Sequence, residues 1–427
     1  MLNISWNNNN VTIKTIKYES IELCKYCTRG DIMKEILESA KLLKNEIIRF
    51  RRTIHENPEV GDHLPETTKF VMGKLREFGY DPKEICDSGI LATIKGEKPG
   101  KTFLLRADMD SLPVGEESSC EFKSHNGNMH ACGHDLHTAM LLGAAKLLKQ
   151  YEDQIEGTIK LVFQPDEEGF TGAKKMLDAG VLENPKVDAA MAMHVHSGSP
   201  SNMVLYSTGP SMAGCIRFRI TVNGVGCHGA MPETGVDPIN IAAHVYLSLQ
   251  EIISREIAPA EPAVLTIGKF SGGDAPNIIP DKVIMEGTIR NVSKEIGEFI
   301  FKRLNEVATM TAKMFRGEAK VEELSSVPPL NNDKELADEI ASYIKDLLGE
   351  KAVYCFEGGK GMGSEDFASY SYKVPSMYFM LGAGTKEENP EYGYPMHHPK
   401  VTFNEDILVT GAAIHTYSAI MWLKNNK

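Results

Sequence analysis

Three apolar runs of this chain end in residues that can bind a metal or move a proton. KTFLLRADMD closes on Asp108 and Asp110, TIKLVFQPDEEG on Asp166, Glu167 and Glu168, and VDAAMAMHVH on His194 and His196. Short apolar runs of this kind read as buried strands, and in open α/β sheets ligands sit in the crevice beyond the carboxyl ends of the strands. Three strands ending this way aim carboxylates and imidazoles at one place. The segment MHACGHDLHTAM adds Cys132, His134, Asp135 and His137 just before a helical stretch. Thiolate, imidazole and carboxylate form the zinc-class ligand set, and Cys132 and His134 can reach a common metal cluster from one turn. A Cys/His nucleophilic dyad through Cys132 is the competing chemistry; it leaves the neighbouring carboxylates without a task.

These residues need a scaffold, and the periodicity of the chain supplies one. Helical spacing runs through DIMKEILESAKLLKNEIIRFRRTIHENPE, with Ile32, Ile36, Ala40, Leu43, Ile47 and Ile48 on one face and a stop at Asn57-Pro58, and returns in TTKFVMGKLREFGY. Strand patterns follow in GILATIKG and KTFLLRAD, flanking the turn EKPGK, and in TIKLVFQ and VDAAMAMHV, with helical HTAMLLGAAKLLKQY and GAKKMLDAG among them. Strands alternating with helices predict an α/β domain whose largely parallel sheet is covered on both faces. A different unit begins near Cys215. There CIRFRITVNG alternates Ile216, Phe218, Ile220 and Val222, and Asp237-Pro238 opens the helix PINIAAHVYLSLQEII with a cap and a first-turn proline. The strands AVLTIGKF and KVIMEGTIR, the helix KEIGEFIFKRLNEVATMTAKMF and the strand AKVEELS complete the order βαββαβ, a ferredoxin-like arrangement. The expected division is a disordered Asn-rich extension at 1–30, one domain at 31–212 and 328–427, and an inserted domain at 213–327.

Composition excludes several other classes. Of 427 residues, 46 are Lys or Arg and 58 are Asp or Glu, a net charge of −12. Without a basic block, the chain has no electrostatic footprint for nucleic acid, and acidic membrane surfaces would repel it. No run has the length of a signal peptide core or a membrane span, so a cytoplasmic location is expected. The cysteines Cys24, Cys27, Cys86, Cys120, Cys132, Cys215, Cys227 and Cys355 show no disulfide rhythm and read as reduced thiols. CKYC at Cys24 and Cys27 has no second pair nearby to complete a structural zinc site.

Taken in order, LLRADMDSLPV, MHACGHDLHTAMLLGAA, FQPDEEGFTGAKKM, MHVHSG, GVGCHGAMPETGVDPI, APNIIPDKVIMEGTIR, GSEDFASY and MHHPK span the chain from about Phe50 to its end. In these motifs it resembles the metallopeptidase-like, metal-dependent amidohydrolases that include aminoacylases, hippurate hydrolases and auxin-conjugate hydrolases. The resemblance implies a zinc-exopeptidase-like α/β/α catalytic domain carrying an inserted ferredoxin-like lid and dimerisation domain. It implies two divalent ions per subunit, zinc or manganese, held by Cys132, His134, Glu168, His194 and His397. Glu167 matches the general base and Asp110 the aspartate that supports the metal cluster. His228 matches the histidine that reaches the substrate carbonyl from the partner of a homodimer or higher homo-oligomer, and Asn277 and Arg290 match lid residues that bind substrate. The implied substrate is an N-acyl amino acid or related amide. The physical reading agrees, since one of two adjacent carboxylates can bind metal while the other handles a proton, and a forked guanidinium suits a substrate carboxylate. Three positions depart from the pattern. Asp166 adds a negative charge expected to raise the pKa of Glu167, Glu233 stands where histidine is frequent, and His196 offers a second imidazole beside His194.

Overall fold

The computed structural model describes residues 29–356 and 361–427. Cys24, Cys27 and the expected extension up to residue 28 lie outside the described residues. The first helix begins at Arg29, and the single helix expected as far as Asn57 is two, Arg29–Leu42 and Lys44–His55, broken at Leu43.

The larger sheet has eight strands. From one edge they are Lys83–Cys86, Gly89–Lys95, Glu156–Gln164, Lys98–Asp108, Ala189–His196, Ser376–Gly382, Val204–Tyr206 and Val353–Cys355. The four central strands are parallel. Toward the edges the expected parallel order gives way: Gly89–Lys95 runs against Glu156–Gln164, and Val204–Tyr206 against Ser376–Gly382. A short turn at residues 96 and 97 reverses the chain, whereas parallel neighbours require a long crossover.

Alternation along Lys98–Asp108 divides the core into two layers. Phe103, Leu105 and Ala107 pack with the helices His134–Gln150 and Ile407–Asn425, while Leu104 faces Met176, Phe367 and Tyr370 on the opposite side. The C-terminal helix is buried almost throughout from Gly411 to Leu423. It therefore shows no polar stripe from which its orientation could be read.

The second sheet orders its strands Ala263–Ser271, Lys282–Asn291, Gly214–Asn223 and Glu318–Val327, every neighbour antiparallel. This is the strand order of a split βαβ unit. One face packs Ile216, Phe218, Ile220 and Val222 against Ile241, Val245 and Leu249 of the helix Pro238–Glu251, and against Ile300, Leu304 and Ala308 of Lys294–Met314. Both helices start as capped turns: the Asp237 carboxylate accepts from the N–H groups of Ile239 and Asn240, and the Ser293 hydroxyl accepts from that of Ile296. The chain leaves and re-enters the larger unit side by side, through the paired strands Gly209–Met212 and Leu330–Asn332. Among the described residues no helix is long and apolar enough to cross a membrane.

Candidate active site

The donors gather at the carboxyl ends of the parallel strands. Asp110 follows Lys98–Asp108, the turn bearing Asp166, Glu167 and Glu168 follows Glu156–Gln164, and His194 lies in the last turn-ward residues of Ala189–His196. His134 is the first residue of its helix, preceded by Gly133 with φ of 87°. A Cβ at Gly133 would stand 2.4 Å from Cγ2 of Val195, so glycine alone lets the helix begin this close to the strand. His397 arrives from a distant loop, also in the left-handed region at φ 67°. Its N–H donates to the Ala131 carbonyl at 2.9 Å, fastening that loop to the Cys132 segment.

Five side chains make two triads that share one sulfur. Ligand-type atoms of Cys132, His134 and His194 lie within 4.8 Å of one another, as do those of Cys132, Glu168 and His397. The Cys132 Sγ stands 3.4 Å from Nε2 of His194 and 3.2 Å from Nε2 of His397, which is also 3.3 Å from the Glu168 carboxylate. Hydrogen bonds on the far side set the rings: Nδ1 of His134 meets the Asp110 carbonyl at 2.9 Å and Nδ1 of His194 meets the Val195 carbonyl at 2.6 Å. A ring that donates from Nδ1 keeps its Nε2 lone pair free for a cation. Nε2 of His134 is buried and has no hydrogen-bond partner, and the buried Oε1 of Glu168 faces only the His397 ring, at 3.3 Å. The Cys132 sulfur and the Glu168 carboxylate push the His397 imidazole up to about 10, and burial followed by the Glu168 charge raises the Cys132 thiol. A soft sulfur, three imidazoles and a carboxylate fit divalent ions of the zinc and manganese class.

Glu167 converges with Glu168 on His134, their ligand-type atoms all within 4.8 Å of one another, but it has partners of its own. Its Oε1 accepts from the Asp366 N–H at 3.3 Å, and its Oε2 lies 4.0 Å from Nε2 of His134, at the margin of the first triad. Burial, then the charges of Glu365, Glu168 and Asp366, hold its carboxyl well above the ordinary range. Asp166 is not the source of that rise. Its backbone turns away at φ 54°, and its carboxylate accepts from the Thr171 hydroxyl and faces Lys175 at 3.9 Å.

Behind Glu167 lies a cluster that the sequence reading passed over. Arg106, buried within the central strand, contacts Asp108 at 2.5 Å, Glu365 at 3.0 Å and Asp366 at 2.7 Å. Gln164 donates to both Asp366 oxygens at 2.8 Å, and the Tyr378 hydroxyl donates to Glu365 at 2.9 Å. Three buried carboxylates thus contact one guanidinium, an excess of negative charge that nearby cations would offset. The available signal was an arginine inside an otherwise apolar strand, and the pair Glu365 and Asp366 in GSEDFASY.

Other candidates serve the frame. Asp110 takes the N–H groups of Glu167 and Glu168, each at 3.0 Å, so it positions both glutamates. His137 has both nitrogens engaged, Nδ1 with Asp108 at 2.6 Å and Nε2 accepting from the Val195 N–H at 2.8 Å. Asp135, read with the ligand set from sequence, instead binds Arg51 at 2.7 Å and His55 at 2.8 Å in a buried ion network. Of the two neighbouring imidazoles, His194 is in the triad; His196 bonds the Ser199 hydroxyl at 2.9 Å.

Residues of the second sheet fall into two groups. Arg290 reaches across to the larger unit, its Nη1 donating to the Ser364 hydroxyl at 2.6 Å, next to Glu365. His228 and Asn277 sit together at an exposed tip, where His228 pairs with Ile278 and the Gly229 N–H donates to the Asn277 carbonyl at 2.8 Å. Nδ1 of His228 accepts from the Ala230 N–H at 3.0 Å, which leaves the ring proton on Nε2. Among the described residues, no hydrogen bond or ion pair joins His228 or Asn277 to the triads. Glu233 lies on the exposed turn Pro232–Thr234.

Comparison with known proteins gives the chain a family. The family described as Peptidase family M20/M25/M40 matches residues 104–420. An "IAA-amino acid hydrolase ILR1-like 4" of Arabidopsis thaliana is 40% identical over 383 residues, covering 88% of this chain and 86% of the relative. A "Thermostable carboxypeptidase 2" of Saccharolobus solfataricus is 38% identical, over 91% of this chain and 98% of the relative. The crystal structure of the Bacillus subtilis YXEP protein, described as a dinuclear metal binding peptidase from the M20 family, superposes with a TM-score of 0.73 at 32% identity, over 90% of this chain and 99% of that one.

Proposed function

The chain belongs to peptidase family M20/M25/M40, and from that premise we propose an amidohydrolase in which Glu167 moves the proton and the shared-sulfur triads hold the metal. It is a metal-dependent hydrolase of amide bonds that splits an N-acyl amino acid or a related conjugate into a carboxylic acid and a free amine. Its cofactors are divalent metal ions. The finer proposal is two ions of zinc or manganese, one with Cys132, His134 and His194 and one with Cys132, Glu168 and His397. When bound, such ions polarise the amide carbonyl and make water more acidic.

The protein's own residues do the rest. Glu167, buried beside the His134 triad, accepts a proton from the attacking water and passes it to the departing nitrogen. Asp110 fixes the backbone that carries Glu167 and Glu168 by holding both their N–H groups. Arg106 holds Glu365 and Asp366 behind the base, so Glu167 stays in a fixed, water-poor pocket. Arg290 takes the substrate's carboxylate end, and from the partner subunit of a homodimer formed through the second sheet Asn277 binds substrate beside His228, which donates its Nε2–H to the oxyanion. The tautomer enforced by Ala230 and the exposure of His228 support that role. The described cysteines are all unpaired, which supports a reducing, cytoplasmic setting.

The observation that carries this reading is the pair of triads sharing Cys132 with Glu167 at their margin. Its test is amine release from N-acetyl, N-benzoyl, indole-acetyl and p-aminobenzoyl conjugates, with protein stripped by chelator and reloaded with zinc or manganese. Activity should vanish on stripping and return on loading. Activity that survives chelation would assign the chemistry to Cys132 as a nucleophile.

A further inference from the structure

The turn that carries Glu167 and Glu168 is held from two sides. On the inner side Asp110 takes the N–H groups of both glutamates. On the outer side the grip comes from the second sheet: Nη2 of Arg217 donates to the Glu168 carbonyl at 2.8 Å, and the same guanidinium lies 4.4 Å over the ring of Phe170. Phe170 in turn is buried in a small cluster with Cys215 and Val327.

The register of the second sheet explains why these residues meet. Cys215 pairs with Val327 on one neighbour and with Arg290 on the other, and Arg217 follows two residues later on the same face. The opposite face carries Ile216, Phe218 and Ile220 toward the helices. One face of the sheet is therefore a platform for the turn, with Arg290 on it reaching Ser364. The turn needs outside support. Asp166 and Phe170, which bracket it, have φ of 54° and 60°, a region that aspartate tolerates but that a residue such as phenylalanine occupies only when its surroundings impose it. Gly169 between them is equally constrained, since a Cβ there would collide with the Asp166 carboxylate.

We propose that Arg217 is a positioning residue that locks the Glu167–Glu168 turn onto the second sheet, with Phe170 as the anchor on which its guanidinium lies. Arginine suits the task because one planar group both stacks on a ring and donates to a carbonyl, which an ammonium does not do with the same geometry. The lock ties the seating of the second sheet to the geometry of the two glutamates, and it rests on the roles given to them above.

The test compares the metal-loaded wild type with Arg217→Ala, Arg217→Lys and Phe170→Leu. Amide hydrogen exchange is followed alongside metal content, kcat and KM. In Arg217→Ala, exchange at residues 165–171 should quicken by about tenfold or more while the strand Glu156–Gln164 keeps its protection. Turnover should fall by about 10- to 100-fold, as expected when reacting groups lose their alignment, with KM changed by less than about threefold. Metal content should stay at the wild-type level. Phe170→Leu should reproduce the local quickening, and combining it with Arg217→Ala should add little, because both remove one device. Arg217→Lys, which keeps a donor, should fall between Arg217→Ala and wild type. Unchanged exchange at 165–171 in folded Arg217 variants would overturn the proposal, as would a quickening spread evenly over the protein. The exchange readout does not depend on Glu167 being the base: a local quickening together with an active Glu167→Gln enzyme would keep the lock and remove the assigned base.

Discussion

The two ends of the proposed catalytic machinery are built in opposite ways. At the carboxyl ends of the central strands of the larger sheet, His134, His194, Glu167 and the Arg106 cluster are buried, and most of their polar atoms are engaged within the same chain. At the tip of the second sheet, His228 and Asn277 are exposed, and their hydrogen bonds are local backbone contacts. A buried cluster can hold charge and geometry without help, because low dielectric strengthens each interaction and neighbours fix each rotamer. An exposed imidazole can act on a bound substrate only if something closes over it. The difference fits the proposed arrangement, in which one chain carries a finished metal-binding half and an unfinished substrate-facing half.

Mutations at the two places should therefore fail differently. The largest loss is expected for Glu167→Gln, whose amide cannot take the water's proton: turnover should drop by about 10²- to 10⁴-fold, with metal content and melting temperature unchanged. Elemental analysis alongside kcat checks this, and loss of metal would mean that the roles of Glu167 and Glu168 are exchanged. Cys132→Ala should lose metal and activity together, because the thiolate is common to both triads. Since changes to groups behind metal ligands already cost about 10- to 100-fold in affinity, loss of the shared donor should exceed that range. His228→Ala should keep its metal and lose about 100- to 1000-fold in kcat, the usual effect of removing an oxyanion donor. An undiminished kcat would make His228 a residue of the surface. The smallest effect belongs to Asp110→Asn, which keeps one acceptor oxygen for the two N–H groups: about 10-fold in metal affinity by titration, and less in turnover.

Much of this contrast was legible in the sequence, and the reason is periodicity. The strands ending in Asp108, Glu167 and His194 announced themselves because apolar runs stop abruptly at charged residues, and in the second unit Ile216, Phe218, Ile220 and Val222 alternate as a half-buried strand must. Three things were hidden. The helix Ile407–Asn425 is surrounded by core and has no polar face to give it a period. Asp135 resembles a ligand in sequence, yet its partners Arg51 and His55 lie 84 and 80 residues away. Arg106, Glu365 and Asp366 meet only through folding, 260 residues apart for Arg106 and Asp366, and no local pattern marks such a contact. The raised carboxyl of Glu167 shows the same limit: adjacency in sequence pointed to Asp166, whereas in space burial and Glu365 lead, ahead of the neighbouring Glu168 and of Asp366.

The central claim is that the buried half of one chain is completed by the exposed half of another, and mixing two inactive variants tests it most directly. Glu167→Gln and His228→Ala proteins, carrying different tags, are unfolded together and refolded, and doubly tagged dimers are isolated. If His228 serves across the interface, each mixed dimer has one site with an intact Glu167 and an intact His228. Random pairing in a two-fold dimer should then restore activity to about a quarter of the wild-type value per chain before isolation. Mixed dimers that form, bind metal and remain as inactive as either parent would contradict the account.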